Sequence, residues 1–100
     1  MSLKIVKILF KDTFVNRLTR QIDFIAKDSP ARAKRFKNQL LKEINKIPKM
    51  PYANRQSIYF DNQDIRDLVF KGYTIVYRVN VGNNIIEVFG LAKYQDKPTD

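Results

Sequence analysis

The sequence predicts an α+β fold of order β-α-α-β-β-β, with a helical hairpin packed on a small antiparallel sheet. Three observations carry this reading. A β-branched run precedes residue 11; two stretches of helical periodicity follow, divided at Asp28-Ser29-Pro30; and three strand-like runs joined by short Gly/Asn turns fill the chain after residue 64.

The first strand is expected at 4–10, where Ile5, Val6 and Ile8 are β-branched and the run is too short for a helix. Asp12 and Thr13 are both acceptable N-caps. After them Phe14, Leu18, Ile22 and Ile25 recur every three or four positions, while Asn16, Arg17, Arg20, Asp23 and Lys27 fill the other side, which predicts an amphipathic helix. Pro30 disfavours helical geometry at the residue before it, so the helix should stop there. Ser29-Pro30 then supplies the N-cap and first-turn proline of a second helix. On that helix Ala33, Phe36, Leu40, Ile44 and Ile47 form the apolar stripe, with Pro48 and Pro51 ending it.

Residues 52–62 show weak patterning and read mostly as loop, with a short strand expected at 58–60. Strands follow at 65–71, 73–81 and 85–92, joined by Lys71-Gly72 and Gly82-Asn83-Asn84, which are hairpin-type turn signals. On the central strand, alternation places Tyr73, Ile75, Tyr77 and Val79 on one face and Thr74, Val76 and Arg78 on the other. The first set should lie buried under the helices. The second would then stand on an open face, joined by Lys93 or Tyr94.

One hundred residues are expected to form a single domain over 1–100, since a chain of this size supports one hydrophobic core. The absence of cysteine rules out disulfides, thiolate nucleophiles and cysteine-ligated metals, and fits a reducing compartment. The absence of histidine removes His-based triads and most transition-metal sites, leaving acid–base work to Asp, Glu, Lys, Arg or Tyr. No metal and no cofactor is expected. Three glycines leave no room for a Gly-rich phosphate loop, and the zinc-protease and serine-hydrolase signatures are missing. The run 4–10 is too short and too charged for a signal peptide, and no stretch is long enough to span a bilayer, so the expected location is the cytoplasm, without a membrane partner.

The net charge of +9 is carried by one part of the chain. Residues 1–60 hold fourteen basic and four acidic side chains, whereas 61–100 hold five and six. Such a field attracts an acidic protein or another polyanion. Arg32, Arg35, Lys42 and Lys46, outside the apolar stripe of the second helix, are the expected partner-binding residues. Asp61, Asp64 and Asp67 are spaced by three, as a carboxylate site on a helix would be, but they run into strand-like sequence that turns them in divergent directions. Arg78 invites two readings: a phosphate grip, or a cross-strand ion pair with Glu87.

The stretch 65–79, Ile-Arg-Asp-Leu-Val-Phe-Lys-Gly-Tyr-Thr-Ile-Val-Tyr-Arg-Val, resembles the R-x-L-x-x-x-G-Y-R-I-V-Y-R-V core of the RelE/ParE toxin superfamily, the plasmid-stabilisation proteins. The basic helix and Pro-x-x-Pro at 33–51 and the Ile-Glu-Val-Phe-Gly of 86–90 are similar as well. The resemblance implies the toxin of a type II toxin–antitoxin system, neutralised by a cognate antitoxin. Two targets divide the superfamily. RelE-like members cut messenger RNA on the ribosome; ParE-like members inhibit DNA gyrase. If this chain were an endoribonuclease, the resemblance would assign the chemistry to Arg66, Arg78, Lys93 and Tyr94. However, the arginine that follows Gly-Tyr in RelE-like nucleases is Thr74 here, and Asp67 places an anion beside Arg66. These departures favour the ParE-like reading, with the ribosome-dependent nuclease as the alternative. A nucleic-acid-binding module without toxicity is a third reading, although no aromatic platform accompanies the charge.

Overall fold

The computed structural model describes residues 4–93. The elements are β1 (Lys7–Phe10), α1 (Asp12–Asp28), α2 (Pro30–Ile44), a 3₁₀ turn (Ile47–Lys49), β2 (Ile65–Phe70), β3 (Tyr73–Asn80) and β4 (Ile85–Lys93). β2, β3 and β4 form the expected antiparallel meander. β1 joins it in parallel, beside β4, so the sheet is mixed and its order is β1-β4-β3-β2. A parallel neighbour needs a long crossover, and the helical hairpin is that crossover's first part.

Both helices lie on one face of the sheet. Phe14 and Leu18 of α1, with Ala33, Leu40 and Ile44 of α2, are buried, and Ile75, Tyr77, Val79, Ile86 and Val88 meet them from the sheet. The alternation expected along β3 is therefore realised: Tyr73, Ile75, Tyr77 and Val79 are all buried beneath the helices. Lys71 and Gly72 both have positive φ, at 47° and 81°, as a tight two-residue hairpin turn of matching twist requires.

Helix entry differs from expectation at α1. Lys11 occupies the N-cap position without a side-chain cap, and Asp12 falls in the first turn, where a negative charge suits the helix dipole. Thr13 turns away to donate to the Phe89 carbonyl at 2.7 Å. At α2 the expectation holds, since the Ser29 hydroxyl accepts the Arg32 amide at 3.1 Å and Pro30 begins the helix. α2 ends at Ile44, earlier than its apolar stripe; Ile47 stays buried through the 3₁₀ turn.

The segment between the 3₁₀ turn and β2 wraps the outer edge of β2. Pairing with β2 occurs at 55–57 and not at the expected 58–60: the Asp67 amide donates to the Arg55 carbonyl (3.0 Å), the Ser57 amide to the Ile65 carbonyl (2.7 Å), and Gln56 bridges Arg66. The pairing stops because the Asp67 carboxylate takes the Ile58 amide and the Ser57 hydroxyl takes that of Tyr59, which turns the chain. Beyond the turn Phe60 packs edge-on against Phe89 on the sheet face away from the helices. That face is thus partly covered, and Thr74 and Val76 on it are buried.

Candidate functional site

The residues the sequence singles out fall into one surface and one dispersed set. The first is the exposed side of α2. Arg32, Arg35, Lys42 and Lys46 are all exposed, and their spacing of three or four residues, continued by Gln39, sets them in one row. The β2–β3 turn adds a further cation, because Lys71 Nζ donates to Gln39 Oε1 at 2.6 Å. Two shallow clefts run along this row. Arg32, Arg35, Phe36 and Lys71 line one; Lys42, Lys46, Phe70 and Lys71 line the other. Glu43 interrupts the positive field by pairing with Lys46 at 3.0 Å. The row is a cationic strip with two aromatic rings at its base, which suits an acidic amphipathic segment.

The second set comprises Arg66, Arg78 and Lys93, and the fold separates its members. Cross-strand partners share a face, so Arg66, opposite Tyr77, faces the helices, whereas Arg78, opposite Glu87, faces the other way. Lys93 was expected on the open face with Arg78. It pairs with Tyr73 and so lies on the helix side, its ammonium 5.9 Å from the centre of the Phe24 ring. The cause is a bulge. Val76 pairs with Gly90 but Tyr77 with Val88, which leaves Phe89 as an extra residue and inverts the alternation beyond it. Tyr94 lies outside the described residues.

Arg78 forms the cross-strand ion pair, with Nε 3.4 Å from Glu87 Oε1. Arg66 is occupied more fully. Its Nε donates to the Gln63 carbonyl (2.8 Å), its Nη1 to the Asn54 carbonyl (3.1 Å), and its guanidinium stands 4.9 Å from the centre of the Tyr52 ring. It is a staple for the 51–64 segment. Asp67 does not offset Arg66, as the sequence suggested, because adjacent strand residues point to opposite faces. Its carboxylate is buried against Arg55 Nη2 (3.3 Å) and the Ile58 amide (3.1 Å). Thr74, where the nuclease pattern has arginine, is buried between Val69 and Ala92.

The three aspartates part ways. Asp64 accepts the Tyr52 hydroxyl at 2.6 Å, Asp67 is held by Arg55, and Asp61 is exposed. Burial, and then the hydrogen bond to Asp64, push the Tyr52 phenol up to about 12, so it keeps its proton at neutral pH and offers no base. Tyr77 is likewise raised by burial, and it donates to the Pro51 carbonyl at 2.6 Å. Sequence reasoning passed over these two tyrosines as anchors of the 51–64 segment; only the side-chain contacts across 12 and 26 residues reveal them.

With this geometry in place, comparison with protein families is decisive. Residues 8–96 match the family described as the ParE toxin of the type II toxin–antitoxin system parDE. The chain belongs to that family. No curated protein matches the toxin closely enough to serve as an individual relative. The match runs from within β1 past the end of β4, so it covers the helical hairpin and the meander together. A toxin of this class has a cognate antitoxin as its partner. Among the described residues no helix is long and apolar enough to cross a membrane.

Proposed function

We propose that this toxin acts by binding a protein target, DNA gyrase, and does not cut RNA, and that the α2 row of Arg32, Arg35, Lys42 and Lys46 receives an acidic segment of the antitoxin. The observation that supports the first part is the dispersal of the cations. RNA cleavage needs a base for the 2′-hydroxyl, an acid for the leaving oxygen and cations around the phosphorane, converging within a few ångströms. Here Arg66 is spent on two carbonyls and a ring, Arg78 is paired with Glu87 on the opposite face, and Thr74 is a buried neutral side chain. Binding a protein surface asks for none of that convergence.

Two assays run in parallel test the target. Purified toxin is added to a translating extract with mapping of messenger 5′ ends, and to a gyrase supercoiling reaction. Inhibited supercoiling with unbroken messenger is the expected outcome. Discrete codon-dependent cuts that Arg78→Ala abolishes, with supercoiling unaffected, would overturn it in favour of the ribosome-dependent nuclease. For the antitoxin surface, charge reversal at Lys42 and Lys46 should weaken the complex and reduce its salt dependence.

A further inference from the structure

On the helix side of the sheet α1 and the end of β4 border a cleft of about 490 Å³. Arg17, Arg20, Gln21 and Phe24 recur at spacings of three and four and form its α1 wall; Tyr73 of β3 and Lys93 of β4, directly opposed in the sheet, form the other. Its cations are available. Arg20 and Lys93 are exposed and belong to no ion pair among the described residues, and none of those residues brings a carboxylate into the lining. Arg17 is committed in part, since its Nη1 donates to the Leu91 carbonyl at 3.3 Å. Phe24 stands outside the apolar stripe of α1 and is 59% exposed. A lone exposed ring signifies little, but this one shares its wall with two arginines and has the Lys93 ammonium 5.9 Å from its centre. That distance is at the outer limit of a cation–π contact, so the ammonium leaves the ring face at little cost.

We propose that this cleft binds a free nucleotide carrying two or three phosphates, its base on the Phe24 ring and its phosphates at Arg20 and Lys93. Ring and cations side by side select a ligand that is at once aromatic and multiply anionic. The guanidinium fork of Arg20 matches phosphate oxygens, Lys93 adds a point charge on a long stem, and the Gln21 amide offers a donor and an acceptor to a base edge. Burial raises the Tyr73 phenol, which therefore keeps its proton at neutral pH and adds no negative charge to repel phosphate. The volume of about 490 Å³ falls within the ~300–1,000 Å³ of small-molecule pockets. A peptide strand fits less well, because the Phe89 and Leu91 carbonyls are already held by Thr13 and Arg17. The cleft is separate from the α2 row, and its occupancy does not depend on the choice of target.

Calorimetric titration of the full-length toxin with ATP tests this. Saturable binding is expected, at least tenfold tighter than that of adenosine, which lacks the phosphates, or of tripolyphosphate, which lacks the base. The double variant R20A/K93A should raise the Kd for ATP at least tenfold. Phe24→Leu should weaken ATP at least threefold and leave tripolyphosphate within twofold, while K34A/K37A, which removes the same charge from exposed positions on α2, should leave ATP within twofold. All five positions are exposed, so melting temperatures should stay near that of the parent. Absence of saturable ATP binding overturns the proposal. Equal affinity for ATP and tripolyphosphate also overturns it, since the cleft would then be a general cationic surface. So does parental affinity in R20A/K93A, which would put the nucleotide elsewhere. A 5′-phosphorylated trinucleotide that binds tenfold more tightly than ATP overturns the free nucleotide as ligand, in favour of the end of a nucleic-acid strand.

Discussion

The Asp67 carboxylate, on a side chain with no exposed surface, reaches across to Arg55, whose side chain is half exposed, and ties the covering segment to β2. Oδ2 holds both Arg55 and the Ile58 amide, while Oδ1 has no hydrogen-bond partner. Removing Arg55 leaves a buried anion with one backbone donor. Arg55→Ala should therefore cost toward the lower end of the ~3–5 kcal/mol typical of broken buried pairs, because the Arg55 side chain is half exposed. Urea unfolding of the two single variants and the double variant measures this. Additive losses for Arg55→Ala and Asp67→Ala would show that the pair is not coupled.

Leu40→Ala or Ile44→Ala should each destabilise by ~2–5 kcal/mol, because both side chains are fully buried between α2 and the sheet. Lys42→Ala should change stability by less than ~0.5 kcal/mol, and Lys46→Ala by about the worth of an exposed i,i+3 pair with Glu43. Shifts in urea midpoint report the contrast, and equal shifts for the two groups would mean that the buried face of α2 has been misassigned.

Gly90 pairs with Val76 beside the bulge. A Cβ built there would stand 3.0 Å from Val76 Cβ and 3.2 Å from its Cγ2. Because Val76 Cβ is fixed to the backbone and cannot swing aside, Gly90→Ala should cost ~1–3 kcal/mol through overpacking. The double variant Gly90→Ala/Val76→Ala should recover part of that loss in thermal melts; no recovery would place the strain elsewhere.

Stability should fall in alkali. Tyr52 is pushed up to about 12 from 10.0, and Tyr73 and Tyr77 are also raised by burial. Above pH 10 the unfolded chain loses phenolic protons that the folded chain keeps, so the folded state binds more protons and its stability declines as pH rises. The contribution is intact below pH 10, and for Tyr52 it is lost between about 10 and 12. Urea midpoints measured across this window should drop for the parent chain and drop less steeply for Tyr77→Phe. A flat profile above pH 10 would contradict the assignment.

What could be read from the residues alone followed from periodicity. Alternation along 73–79 identified the buried face of β3, and Phe14, Leu18, Leu40 and Ile44 announced the core faces of both helices. Ser29-Pro30 marked its helix start because that cap is local. Contacts between distant residues left no such trace. Thr13 resembles a helix cap but is used 76 residues away, on Phe89. The bulge at Phe89 shifts Lys93 to the other face, and a strand with one extra residue looks from its sequence like a strand without one. The resemblance around Gly72-Tyr73 identified the toxin family correctly, yet it could not show that Arg66 is consumed by the carbonyls of Asn54 and Gln63.

The covering of β2 bears on how this protein behaves when it is concentrated or briefly without its partner. A bare outer strand is a template on which further sheets can grow. Here any sheet approaching β2 would first have to break the backbone bonds from Asp67 to Arg55 and from Ser57 to Ile65, together with the ion pair behind them. The opposite margin of the sheet is the four-residue β1, bracketed by Lys4, Lys7 and Lys11, whose like charges repel a second copy laid alongside. A segment with almost no regular structure thus works as a guard against polymerisation, and loosening it through Arg55 or Asp67 should make the chain prone to aggregate before it loses its core.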